Sequence, residues 1–203
     1  MFTPKKRSFD HFLGQPSLLT MNRFLLAASM LALLFYGSYL GTGVLFAGTP
    51  ETAAAQIRDL NQKIIAANER KDLPAALAAA EEAVRVAKDG YGPESLESAD
   101  TLSNLASLYL HIKRVDESAA IYESVAGIYL AREGRESLNT AAAYFSLGAA
   151  YAMQQKYQEA LSALNEALAI RTKKLGPDAE ATKNAEQMIA GLTKLAYPNT
   201  EKI

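Results

Sequence analysis

Gly92-Pro93-Glu94-Ser95-Leu96, Gly134-Arg135-Glu136-Ser137-Leu138 and Gly176-Pro177-Asp178 are one loop written three times, each copy 42 residues after the last. The same offset carries Leu102, Leu105, Ala106 and Tyr109 onto Tyr144, Leu147, Gly148 and Tyr151. It also carries Val115, Ser118 and Tyr122 onto Tyr157, Ala160 and Leu164. Apolar residues recurring three and four apart mark a helix with one buried face. Each unit holds two such stripes joined by a short polar connection, Gln154-Gln155-Lys156 in the last full copy, so each unit reads as a helical hairpin. A fixed period of this length means stacked hairpins, because one hairpin alone cannot bury its apolar face.

The period extends in both directions. Backward, the second stripe falls on Leu73, Ala76 and Ala80 and the first on Leu60, Ile64 and Ala67; forward, one helix fits, with Ile189 and Ala190 under Leu147 and Gly148. Thr49 followed by Pro50 is a helix start, and the Gly-Pro pairs at 92 and 176 stop one unit before the next begins. Helices are expected over residues 51–70, 72–89, 95–112, 115–132, 137–154, 157–174 and 178–196. The first unit departs from the pattern, with Lys63 and Ala67 in place of Leu and Tyr, as an end unit would. Ala106, Gly148, Ala160 and Ser118 fall where two helix backbones meet, and Tyr109 and Tyr151 fill the space beside them. Lys183, Glu186 and Lys194 break the apolar pattern of the last helix, which is expected to shield the open end of the stack.

These positions resemble the tetratricopeptide repeat, in which a large residue, Leu, Gly and Tyr on the first helix interlock with Ala, an aromatic or Leu, and Ala on the second. The 42-residue unit is similar to the kinesin light chain variety of that repeat, and Thr101-Leu102-Ser103-Asn104-Leu105-Ala106-Ser107-Leu108-Tyr109 resembles its first-helix signature. The resemblance covers residues 51–196. It implies an all-α fold: a short right-handed α-solenoid of about three hairpins plus a capping helix, over residues 48–196, with a tail at 197–203.

For function, the resemblance implies docking of another protein or peptide in the concave groove lined by the first helices, and no enzymatic activity. Counting from the repeat pattern, the lining is expected to include Arg58, Asn61, Gln62, Ile65 and Asn68; Asp100, Ser103, Asn104, Ser107 and Leu110; Ala142, Phe145, Ser146 and Ala149; and Asn184, Gln187 and Gly191. Small neutral polar groups dominate it. Side-chain amides donate and accept at once, which suits the backbone of an extended peptide, and Phe145 adds an apolar foothold. The resemblance implies that Asn104 in particular contacts the partner; the alternative is a cap or bridge within the array. A groove built to grip a C-terminal carboxylate would carry several cations, whereas this one offers Arg58 and Lys194.

Composition narrows the classes further. The chain has no cysteine, which removes thiolate nucleophiles, disulfides and Cys-ligated zinc. Its two histidines, His11 and His111, have no companion set for catalysis, and neither a glycine-rich phosphate loop nor an HExxH helix is present. No cofactor or metal is expected. Glu81-Glu82, Asp116-Glu117 and Lys173-Lys174 read as solvated helix faces. Lys5, Lys6, Arg7 and Arg23 against Asp10 give residues 1–47 a charge of +3, which leaves −4 for the rest of a chain totalling −1. A mildly acidic repeat region offers no attraction to a phosphate backbone, so nucleic acid is not expected as a partner.

Residues 24–47, FLLAASMLALLFYGSYLGTGVLFA, run for 24 residues without a charge. As a helix this segment is about 36 Å long, enough for a hydrocarbon layer of about 30 Å. It is therefore expected to span a membrane as a signal anchor, with the basic tail 1–23 cytoplasmic and the repeats on the far side: the periplasmic side of an inner membrane in a bacterium. Cleavage is the alternative, since Ala53 and Ala55 form an A-x-A pattern and Met21 could serve as the start, in which case the repeats would be secreted. Gly37 and Gly41 make a GxxxG through which two spanning helices could pair. The functional readings are then a membrane-anchored adaptor, a self-assembling homo-oligomer, or an accessory factor for a membrane complex.

Overall fold

A computed structural model describes residues 49–198. Seven helices follow one another: α1 (Pro50–Glu69), α2 (Leu73–Tyr91), α3 (Leu96–His111), α4 (Val115–Glu133), α5 (Leu138–Met153), α6 (Tyr157–Leu175) and α7 (Glu180–Ala196). Each packs mainly on its neighbours in the chain, so α1–α2, α3–α4 and α5–α6 form three hairpins and α7 closes the stack. This is the expected all-α solenoid. Four helices start later than expected, α2, α3 and α5 by one residue and α7 by two, while α4 and α6 start as expected and α1 one residue earlier. For α2, α3 and α5 the reason is capping: Asp72, Ser95 and Ser137 stand just outside the helices and accept N–H bonds from Ala75, Ser98 and Asn139. Thr49 caps α1 in the same way, with Pro50 in the first turn.

The 42-residue period is present in the backbone itself. Within each hairpin the chain reverses through a left-handed residue, Lys71, Lys113 or Gln155, at φ 57°, 65° and 61°. The next N–H reaches back to a helix carbonyl, Asp72 to Ala67, Arg114 to Tyr109 and Lys156 to Tyr151, at 2.8–2.9 Å. That is the six-to-one closure that satisfies the orphan carbonyls of a helix end. Between units, Gly92, Gly134 and Gly176 stand at φ 94°, 88° and 86°, a conformation that side chains rarely adopt. A buried hydroxyl from the following helix then fixes each glycine carbonyl: Ser98 at 2.7 Å, Thr140 at 2.9 Å and Thr182 at 2.9 Å.

The core is a column of small residues flanked by aromatic and branched ones. Ala76, Ala106 and Ala160 are fully buried, and Ser118 is buried with its Oγ donating to the Ala106 carbonyl at 2.8 Å across the hairpin. Tyr109 is buried beside them; Tyr151 is half-buried, its hydroxyl donating to Glu123 on α4. Lys63, the misfit of the first unit, points outward and pairs with Asp59 at 2.6 Å, while Ile64 and Ala67 take the buried positions. On α7, Lys183 and Lys194 are exposed, as a closing helix requires. Among the described residues, no helix is long and apolar enough to cross a membrane. The expected span at 24–47 and the tail at 1–23 lie outside those residues.

Candidate functional site

Because the hairpins stack in order, the first helices α1, α3, α5 and α7 stand side by side. Tyr122 ties α3 to α5: its hydroxyl lies 3.4 Å from the Ser103 carbonyl and also meets the hydroxyls of Ser107 and Ser146. Phe145 on α5 and Met188 and Ile189 on α7 pack against one buried cluster that holds Leu161, Leu164 and Leu192. All ten expected partner-binding residues lie on these helices, but they divide into two groups.

One group is held by the array. Asp100 accepts a bond from the Tyr129 hydroxyl of α4, and burial together with that carboxylate holds the phenol well above the ordinary tyrosine range. Ser103 is half-buried and donates to the Ala99 carbonyl at 2.9 Å. Ser107 and Ser146 serve Tyr122, whose phenol burial pushes up and these two hydroxyls pull partly back. Phe145 is not a free apolar foothold. The Arg171 guanidinium of α6 lies over its ring at 4.3 Å, and one Arg171 N–H donates to the Ala181 carbonyl on α7 at 2.9 Å. Burial lowers the arginine's affinity for its proton. Phe145 thus belongs to the joint between the third hairpin and the closing helix.

The second group is free to act. Gln62 and Asn68 on α1, Asn104 on α3 and Gln187 on α7 are exposed, Asn61 is half-buried, and Arg58 and Asn184 are exposed beside them. Nothing in the described residues caps or bridges Asn104. The result is a set of amide side chains on α1, α3 and α7, with hydroxyls and small residues between them, Ala149 of α5 half-buried and Gly191 exposed. Such amides can pair with peptide N–H and C=O groups. Among the described residues, no group of three His, Asp or Glu side chains could hold a metal ion.

Sequence reasoning missed Arg171 and Tyr129. Their signal was available, since Tyr129 and Arg171 are 42 residues apart and occupy the same place near the end of a second helix. In the second hairpin the residue there reaches Asp100; in the third the equivalent of Asp100 is Ala142, and the arginine folds over Phe145 instead.

Comparison with known proteins now decides the family. The tetratricopeptide repeat model matches residues 57–131 and again 97–173. The chain belongs to the tetratricopeptide repeat family. Arrays of this family are generally interaction modules rather than enzymes. Among curated proteins the chain is similar to the clustered mitochondria protein homolog of Aspergillus clavatus, 33% identical over 106 residues, which is 52% of this chain. The homolog of Aspergillus niger is 32% identical over 121 residues, 60% of this chain. The match spans 8% and 10% of the length of those relatives. Among solved structures, BtubC (BKLC) from P. vanneervenii superposes with a TM-score of 0.63 at 20% identity, covering 72% of this chain and 58% of its own. A Podosopora anserina kinesin light chain protein with nearly identical TPR-like repeats gives 0.63 at 19%, covering 72% and 68%. The TPR2B domain of yeast Sti1, solved as a complex with pHsp70, gives 0.55 at 16%, covering 70% and 98%. At these identities the structural likeness speaks to the fold, which is the stacked-hairpin solenoid.

Proposed function

We propose that this tetratricopeptide array is the docking domain of a membrane-anchored adaptor, taking an extended segment of a partner protein along the face formed by α1, α3, α5 and α7. The observation that carries this reading is the set of amide side chains, Gln62 and Asn68 on α1, Asn104 on α3 and Gln187 on α7, exposed on three of the four first helices with no hydrogen bond to other described residues. An amide left unpaired by its own fold is an offer to a partner's backbone. The yeast Sti1 domain, of similar fold, was solved in complex with pHsp70, which supports a protein ligand for an array of this fold.

The tether rests on the uncharged run at residues 24–47 and the basic residues before it, which put the repeats on the non-cytoplasmic side of an inner membrane. The domain carries no catalytic role in this reading, and no cofactor or metal; it organises other proteins.

A photo-crosslinking amino acid at position 184 of the full chain, exposed on α7 beside the same face, should on activation in intact cells join the protein to one recurrent partner identified by mass spectrometry. Recovery of that partner should fall about tenfold in Asn104→Ala, the loss expected of one good hydrogen bond, with the helical circular dichroism unchanged. Undiminished recovery would remove the docking face from the account. For the tether, alkaline carbonate extraction should leave the chain in the membrane pellet, and its release would sink the anchor.

A further inference from the structure

The loop after α4 is strapped to α6. Arg135 meets Glu166 at 2.6 Å, and Glu136 receives Lys173 together with Lys174, the latter at 3.8 Å. Forty-two residues earlier the same strap is missing its parts. Pro93 stands for Arg135, Ser124 for Glu166, Gly127 for Ala169 and Ala131 for Lys173. Each exchange shortens a side chain or removes a charge, and they all face the same space.

A cleft of about 430 Å³ lies there, between α2, the loop that follows it, α3 and α4. Leu102 and Ile128, both 8% exposed, form its apolar floor. Gly127 is open, since a β-carbon built on it would meet nothing within 4 Å. Lys88 and Arg132 stand exposed at the rim, and neither is in an ion pair with a described residue. Arg132 donates Nε–H to the Glu94 carbonyl at 2.9 Å, which fixes the guanidinium in place and leaves its outer N–H groups unclaimed. Against these two cations the lining carries one carboxylate, Glu94. The excess is positive in a region whose total is negative.

We propose that this cleft is a second docking surface, separate from the first-helix face, which receives a branched or aromatic side chain of a protein partner with a carboxylate beside it. The floor takes the apolar group, and Lys88 with Arg132 takes the acid. A cleft of this size holds one or two side chains, and a guanidinium already oriented by a backbone carbonyl loses little freedom on meeting a carboxylate. The strapped loop after α4 offers no equivalent, because its cations are paired internally.

The test is selection of a random displayed peptide library on the full-length chain, with each recovered clone rebound to three variants. Clones seated in the cleft should keep their binding to Asn104→Ala, lose about tenfold on Gly127→Trp and lose about tenfold on the double variant Lys88→Glu with Arg132→Glu. Their sequences should share Asp or Glu next to an aromatic or branched residue. Circular dichroism and the urea midpoint keep a misfolded Gly127→Trp from passing as a positive result, and the charge variant tests the site without filling it. Recovery of no clone sensitive to these substitutions overturns the proposal, as does sensitivity to Gly127→Trp without any acidic preference. A concentration-dependent dimer that Gly127→Trp abolishes assigns the cleft to a second copy of the chain and also overturns it. Clones sensitive only to Asn104→Ala speak to the first-helix face, so the two surfaces succeed or fail separately.

Discussion

Leu164 occupies the space that a β-carbon on Gly148 would need: a methyl built there would lie 2.7 Å from the leucine Cγ and 3.1 Å from the Ala160 carbonyl oxygen. The two helices of the third hairpin therefore meet backbone to backbone at this point, with Leu164 fully buried against the glycine. Neither neighbour is the loose end of a long side chain, and one is main chain.

Gly148→Ala is accordingly expected to destabilise the domain by about 1–3 kcal/mol through overpacking, even though alanine is the better helix former. Urea denaturation followed by circular dichroism measures this. A midpoint at or above that of the parent protein would show that the hairpin can open without loss.

Gly127 gives the opposite sign in the same kind of helix. It lies within α4, its surroundings are empty to 4 Å, and its φ is not in the left-handed region. Gly127→Ala should therefore stabilise by roughly 0.5–1 kcal/mol, the gain from removing a flexible residue from a helix interior. The pair of substitutions, identical in chemistry and opposed in outcome, checks that packing rather than propensity decides at Gly148. A fall in stability for Gly127→Ala would refute the open geometry.

How much of this was legible beforehand follows from where the information sits. Gly92, Gly134 and Gly176 gave the period directly, and a period fixes which helix follows which, because stacked hairpins contact only their neighbours. Burial of Ala106, Ala160 and Ser118 followed from the same alignment of one unit on the next. The candidate face was only half legible. Asn104 and Gln187 emerged as exposed amides, since their helical phase relative to the buried stripe sets their direction. Phe145 and Asp100 share that phase, yet Arg171 and Tyr129 reach over from the second helices to meet them. Such contacts depend on the reach of a long side chain across a joint, which periodicity within one helix does not encode.

Thr140 tests the joint between units. Its buried Oγ1 donates to the Gly134 carbonyl, whose other partner is the Ser137 N–H at a longer 3.3 Å. Thr140→Val keeps the shape and removes the donor, so a part-buried carbonyl loses its better bond. A loss of about 1–2 kcal/mol is expected. Thermal unfolding of Thr140→Val beside Thr140→Ser is the decisive comparison, because serine restores the donor while removing a methyl. Equal stability of the parent and the valine variant would mean that the glycine loop holds its form unaided.

Tyr151 supplies a pH signature. Its hydroxyl donates to Glu123 across the joint between α4 and α5, and that bond, with burial and the glutamate's charge, pushes the phenol up to about 12 from an ordinary 10. Only the protonated phenol can donate, so the folded state holds this proton more tightly than the unfolded chain does. The stabilisation is complete below pH 10 and is lost as pH rises through about 12. Tyr151→Phe has no proton to lose at this position. The stability difference between the parent and Tyr151→Phe should therefore be constant from neutral pH to about 10 and then shrink over the next two pH units. Tyr122 and Tyr129, whose phenols are also raised, titrate in both proteins and cancel from the difference. Urea midpoints of the two proteins, taken side by side from pH 8 to pH 12, make the measurement. A gap that stays level across that range would mean that the Tyr151–Glu123 bond contributes nothing to holding the second hairpin on the third.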